Sequence, residues 1–332
     1  MRSVVLTKHG LPDVLQVQVR PDPVPGAGEL LVDVKAAGIN FADIMARVGL
    51  YPDAPKPPTV VGYEVAGTVS ALGEGVDGFA VGDRVMAGTR FGGYSELVAA
   101  RVVDVARLPE SLSFEQGAAV PVNYTTAYAG LIRFGALEPG ERVLIHAAAG
   151  GVGIAATQIA KARGAEVYGT ASPGKHDAIR GFGVDHALDY TSPGWEKSVP
   201  KLDLVMDAVG GRSFRRSYDL LRAGGRLVAF GASSVIPGEK RNIVTAARAA
   251  LSMPRFNLIK QMSASKAVIG LNMLTLWDEL GSLEPYLDAL EQMLGDGTIQ
   301  PVVAESFPFD RAPDAHRFIT ERRNVGKVIL TP

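Results

Sequence analysis

Cysteine is absent from the 332 residues. Its absence excludes disulfides, thiolate nucleophiles and cysteine-ligated zinc, and leaves the redox compartment open. An excess of one charge is lacking too. Lys and Arg number 34 against 35 Asp and Glu, a net charge of −1, which gives no electrostatic case for nucleic acid or an anionic membrane. No apolar run reaches the ~18 residues needed to span a bilayer. Met1-Arg-Ser-Val-Val-Leu-Thr-Lys-His9 has no apolar core of a signal peptide, so a soluble cytoplasmic protein is expected. The five histidines (His9, His146, His176, His186, His316) show no metal-ligand spacing and read as structural or exposed.

What is present suits two domains, at roughly 150 residues each. Apolar residues make up 47% and glycines number 38, enough for sizeable cores joined by tight turns. Up to about residue 121 the texture is β-rich. The runs Leu30–Val34, Glu64–Val69 and Arg84–Met86 are divided by turns at Pro21-Asp-Pro-Val-Pro-Gly26, Gly73-Glu-Gly75 and Val81-Gly-Asp83. Pro55-Lys-Pro-Pro58 forces an extended loop. Beyond about 122, short apolar runs at Val143–Ile145, Glu166–Thr170, Asp203–Asp207 and Arg226–Phe230 alternate with helix-like segments. That alternation predicts a parallel, doubly wound sheet. With a further short strand ending at Tyr190, a sixth is expected at Ala267–Gly270, then an amphipathic helix over Leu274–Leu294 and a closing strand at Lys327–Leu330. The irregular stretch Ser233–Ser265, with Lys240, Arg241, Arg248, Arg255 and Lys260, reads as a solvated insertion.

The richest local signal is Arg142-Val-Leu-Ile-His-Ala-Ala-Ala-Gly-Gly-Val-Gly153, followed by the helical Ile154–Arg163. Ala148, Gly150 and Gly153 stand at the spacing of a dinucleotide fingerprint, with alanine in the first place. A turn of this kind brings backbone N–H groups to a pyrophosphate at a helix N-terminus. Ala149, Gly150, Gly151, Val152 and Gly153 are therefore the candidate cradle. NAD-specific sites usually carry an acid about 20 residues further on. Here Thr170-Ala-Ser172 and Lys175 follow instead. Hydroxyls and an ammonium suit a 2′-phosphate, with Tyr190 closing the pocket, so NADPH is the expected cofactor.

Seven stretches carry a resemblance. They are Ala36-Ala-Gly-Ile-Asn-Phe-Ala-Asp43, Gly49-Leu-Tyr-Pro52, Val61-Gly-Tyr-Glu-Val-Ala-Gly67, Val81-Gly-Asp-Arg-Val85, Asn123-Tyr-Thr-Thr-Ala-Tyr128, His146–Gly153 and Asn324-Val-Gly-Lys-Val328. In this order the chain resembles the zinc-independent quinone oxidoreductases of the medium-chain dehydrogenase/reductase superfamily. Gly270-Leu-Asn-Met273 and the insertion look most like the vesicle amine transport protein branch. The resemblance implies an α/β architecture: a GroES-like β-rich catalytic domain (1–122), a Rossmann domain for NADP (123–271), and a return segment completing the catalytic domain (272–332). It also implies an active cleft between the domains, and a homodimer joined through the edge strand near Ala267–Gly270.

Zinc-dependent members of the superfamily have cysteine where Asn40 stands and histidine where Tyr63 stands. An amide and a phenol are poor zinc ligands, so no metal is expected. The acceptor must then take hydride readily, as quinones and activated alkenes do. By the same resemblance Asn40, Tyr51, Asn123, Thr126, Phe230, Gly231 and Asn272 lie toward the nicotinamide, and Lys327 is a further cofactor-binding candidate. Asn40 and Tyr51 are the catalytic candidates, with Tyr51 either a proton donor or an aromatic wall of the cleft. Glu64 and Asp43 read as structural hydrogen-bonders at turns. The expected activity is NADPH-dependent, zinc-free quinone reduction. The alternatives are 2-alkenal or enoyl reduction, and cofactor binding with little turnover, acting through a partner.

Overall fold

The computed structural model describes residues 1–235, 248 and 251–332. Two compact units divide them. One comprises Met1–Thr125 and Met273–Pro332, the other the described parts of Thr126–Pro237 and Asn242–Asn272.

The first unit is built around Glu29–Ile39, a strand long enough to serve several partners. Its N-terminal half pairs with Leu97–Arg101, and its C-terminal end with Lys327–Thr331. Along its other edge runs Glu64–Leu72. The full order is Val303–Pro308, Lys327–Thr331, Glu29–Ile39, Glu64–Leu72, Arg84–Gly88, Val105–Arg107. A smaller sheet pairs Arg2–Leu6 with Leu15–Val19 and Thr59–Val60. Alternation along Leu30, Val32 and Val34 puts every second side chain into a core shared with Val4, Leu6, Val65, Val85, Phe309 and Leu330.

The amphipathic stretch after residue 273 is two helices, Met273–Leu280 and Glu284–Gly295, and not the single helix its periodicity suggests. Gly281 takes a left-handed φ of 76° and Pro285 opens the second helix, which together end one helix and start the next. Buried Asp104 fixes the junction, accepting from Trp277 Nε1 at 2.7 Å and Leu283 N at 2.9 Å.

The second unit has a six-stranded, wholly parallel sheet. Its order is His186–Asp189, Glu166–Ala171, Arg142–Ile145, Leu202–Asp207, Leu221–Ala229, Ala267–Gly270. Strand order reverses between Arg142–Ile145 and Leu202–Asp207, the place where doubly wound sheets bind ligands beyond their carboxyl ends. The middles of the central strands are apolar: Val143, Leu144, Ile145, Leu204, Val205 and Met206 are fully buried, as helices on both faces require. In the insertion, Ser233–Val235 is a short 3₁₀ turn and Leu258–Ala264 a helix, and Arg248, Arg255 and Lys260 are exposed. Lys240 and Arg241 lie outside the described residues.

Candidate active site

In the second unit, Arg142–Ile145 leads into the glycine-rich turn and the helix Gly151–Ala162. Gly150 stands at the N-cap in extended conformation and supplies no side-chain cap. The amides of the first turn are thus left to an anion. The two motif glycines differ in kind. A Cβ on Gly153 would fall 2.3 Å from Ala147 O and 2.7 Å from Ala148 Cα, whereas one on Gly150 would meet only Ala147 O, at 3.3 Å. Gly153 lets the helix press on the turn, and Gly150 leaves the space above the turn open. This cradle fits a dinucleotide pyrophosphate.

Thr170 lies beneath the turn, 2% exposed. Its carbonyl accepts from Ala148 N at 3.0 Å and its hydroxyl from Ala147 N at 3.2 Å. Ser172 caps a 3₁₀ turn, Pro173–Lys175, which puts half-buried Lys175 just past the strand end. No acid ends this strand, but Asp189 pairs in register with Ala171 on the next. Its carboxylate is engaged by Thr191, from the hydroxyl at 2.6 Å and the backbone N at 2.8 Å. Those two bonds hold its pKa below the usual carboxylate value. Tyr190, 41% exposed, follows it. Phe230, Gly231 and Asn272 lie just past the carboxyl ends of adjacent strands, and Gly231 packs so near Ala208 that a Cβ would sit 2.9 Å from its carbonyl oxygen.

In the first unit a buried polar cluster joins residues from far apart in the chain. Lys327 Nζ pairs with Glu64 and donates to Asn40 Oδ1 at 2.6 Å and to Asn123 Oδ1 at 3.4 Å. Asn40 Nδ2 donates to Glu64 Oε1 at 2.9 Å, while Glu64 Oε2 accepts from Val122 N at 2.7 Å. Because an ammonium only donates, the Asn40 amide has one possible orientation. Glu64 is fully buried and Lys327 is 3% exposed, so each charge is compensated by the other. Gly38 makes room: a Cβ there would meet Ala118 O at 2.4 Å and both Glu64 and Lys327 at 2.7 Å.

Three of the expected residues, Asn40, Asn123 and Lys327, thus share one cluster. Glu64, read from sequence as a turn residue, stands at its centre. Thr126 is nearly buried on the helix Asn123–Tyr128.

Asp43 takes Asn40 N at 2.8 Å and Gly62 N at 2.9 Å. Burial raises its pKa to about 6 against those bonds. Tyr51 is half-buried, edge-on to Tyr63 at 6.3 Å, and Tyr63 leans on Phe91 at 5.0 Å. Burial, then the charges of Asp53 and Asp43, push the Tyr51 phenol up to about 12. At neutral pH it is an uncharged hydrogen-bond donor.

A zinc ion does not fit these donors. The carbonyl oxygen of Asn40 already faces the Lys327 ammonium, and a dication there would be repelled. Among the described residues no group of three or more His, Asp or Glu side chains could hold a metal, and no helix is long and apolar enough to cross a membrane.

Two family models match the chain, an alcohol dehydrogenase GroES-like domain at residues 26–110 and a zinc-binding dehydrogenase at 182–330. The synaptic vesicle membrane protein VAT-1 homolog of Homo sapiens is 39% identical over 340 residues, covering 100% of this chain and 86% of that protein. The Escherichia coli quinone oxidoreductase, solved in complex with NADPH, superposes with a TM-score of 0.87 at 32% identity, covering 100% of both chains. The CurK enoyl reductase superposes with a TM-score of 0.86 at 27% identity, over 99% of this chain and 98% of that one.

Proposed function

The chain belongs to the quinone oxidoreductase-like family of the medium-chain dehydrogenase/reductases, near the VAT-1 homologues, and from that premise we propose that it is an NADPH-dependent, zinc-independent quinone reductase. The observation that carries the proposal is the Asn40–Lys327–Glu64 cluster, an organic hydrogen-bonding array where zinc relatives hold their metal. A bound nicotinamide supplies the hydride.

The chain's own groups bind, orient and stabilise. Ala149–Gly153 offer backbone amides to the pyrophosphate, with Gly150 leaving the approach open. Ser172 and Lys175, with Tyr190 beside them, take the 2′-phosphate. Asn123, Thr126, Phe230, Gly231 and Asn272 line the nicotinamide end. Asn40, gripped by Lys327 on its oxygen and by Glu64 on one Nδ2 hydrogen, presents the other hydrogen to a carbonyl oxygen. The neutral Tyr51 phenol donates to oxygen that gains charge as the acceptor is reduced. Without a Lewis acid, acceptors that spread that charge are favoured, and quinones do so best. The same reading makes the protein a cytoplasmic homodimer. Its seam is Ala267–Gly270, the end strand of the six-stranded sheet, paired on one side among the described residues.

The likeness to an enoyl reductase favours a second reading, 2-alkenal or enoyl reduction, for which Tyr51 is the proton donor. NADPH oxidation measured with a quinone and with a 2-alkenal decides between them. Higher kcat/KM for the quinone is expected. Preference for the alkenal installs the second reading, and tight NADPH binding with neither acceptor reduced makes the protein a binder acting through a partner.

A further inference from the structure

The dinucleotide turn contains a residue in an unfavourable conformation. Ala147 has φ 54°, a left-handed geometry that costs a non-glycine residue ~1–2 kcal/mol. It is held by three hydrogen bonds: its N–H donates to Thr170 Oγ1, its carbonyl accepts from Gly150 N at 2.9 Å, and the next N–H donates to Thr170 O. Once Thr170 Oγ1 accepts from Ala147, its own hydrogen needs an acceptor, and His146 Nδ1 stands 3.2 Å away. The other ring nitrogen, Nε2, lies 3.0 Å from Ser217 Oγ. The hydrogen of Ser217 goes to Asp207 Oδ2 at 2.7 Å. Asp207 also accepts from Ser213 Oγ at 2.7 Å and Val209 N at 2.8 Å.

One carboxylate therefore dictates the direction of every bond in the chain. Ser217 must donate to Asp207, so it can only accept from His146. The imidazole proton then sits on Nε2, and Nδ1 is free to receive Thr170. All five side chains are at most 4% exposed, so water does not compete. Burial holds His146 below its usual pKa, which keeps the ring neutral. His146 and Asp207 end neighbouring strands, those between which the sheet reverses order.

We infer that His146, fixed as its Nε2–H tautomer by Ser217 and Asp207, is a positioning residue that sets the pyrophosphate-binding turn through Thr170. The inference rests on the proposed NADPH site. It is tested by measuring NADPH affinity, steady-state kinetics and the histidine ring ¹⁵N signals of the full chain and three variants. The cofactor-free wild type should show His146 protonated on Nε2. Ser217→Ala and Thr170→Val should each raise the NADPH Kd and KM about ten-fold, the worth of one hydrogen bond, with kcat at saturating NADPH nearly unchanged. Thr170→Ser should restore wild-type affinity. An Nδ1–H tautomer overturns the inference, and so do variants that lose thermal stability without losing affinity. Failure of the wild type to bind NADPH would overturn the functional reading and this inference with it.

Discussion

Lys327 and Glu64, 263 residues apart in the chain, form a buried ion pair whose ammonium also orients the Asn40 amide. Removing one partner strands the other charge in the core, which typically costs ~3–5 kcal/mol. Lys327→Met should lose about that much in urea unfolding, and adding Glu64→Gln should recover most of it. Equal instability in the single and double variants would show that the pairing contributes little.

Tyr51→Phe keeps the aromatic wall and removes the hydroxyl. A quinone leaves its charge on oxygen, which water can protonate, so the loss in kcat/KM should stay below ~ten-fold. A general acid for an enolate carbon contributes ~10²–10⁴-fold. A loss of that size with a 2-alkenal, and not with quinones, would identify Tyr51 as the proton donor of an alkene reductase.

Lys175→Ala should raise the KM for NADPH by ~ten- to a hundred-fold, the equivalent of one charge-assisted bond of ~1.5–3 kcal/mol, and leave NADH nearly unaffected. Equal losses for both cofactors would place Lys175 away from the 2′-phosphate.

The two turn glycines should fail differently. Gly150→Val should leave the circular dichroism spectrum intact and abolish NADPH binding, because the crowding at Gly150 is a single contact at 3.3 Å. Gly153→Ala should lower Tm as well, since its methyl collides with the Ala147–Ala148 backbone. Undiminished binding in Gly150→Val would put the dinucleotide elsewhere.

His316 is fully buried, edge-on to Tyr94 at 6.1 Å, and neither ring nitrogen has a hydrogen-bond partner. Burial, then the Arg47 guanidinium, holds its pKa well below the usual value. A depressed folded-state pKa means that stability is whole above the unfolded imidazole's pKa of ~6.5 and falls as pH drops below it, by up to ~1.4 kcal/mol per unit. His316→Leu should be ~1–3 kcal/mol more stable at pH 7, because two unpaired polar atoms leave the core. It should also have a shallower acid limb. A less stable variant with an unchanged limb would refute this account.

The alternation of strands and helices was legible in the sequence because the central strands of the parallel sheet are short, largely apolar runs bounded by turns. Leu221–Ala229 starts five residues before the expected Arg226 because Ala223-Gly-Gly225 reads as a turn. A register shift opposite Leu202–Leu204 keeps that stretch inside the strand. The glycine-rich turn between Arg142–Ile145 and Gly151–Ala162 was legible because its glycines act locally. The Glu64–Lys327 pair was not: nothing near either residue reports a partner so remote. Gly38 was the available signal, a small residue in a strand where something bulky must pass close by. The Thr170–His146–Ser217–Asp207 chain was hidden for the same reason, its outermost members, His146 and Ser217, lying 71 residues apart.

The two sheets also differ in when they can close. The parallel sheet uses strands from Arg142 to Gly270 and needs nothing later. The other pairs Ala37 with Leu330, so during synthesis Glu29–Ile39 must wait nearly the whole length of the chain with part of its edge unpaired. That edge is open to mispairing in the interval. Chain order thus lets the parallel sheet be completed before the mixed one, and the strand that carries Lys327 to Asn40 is the last to be made.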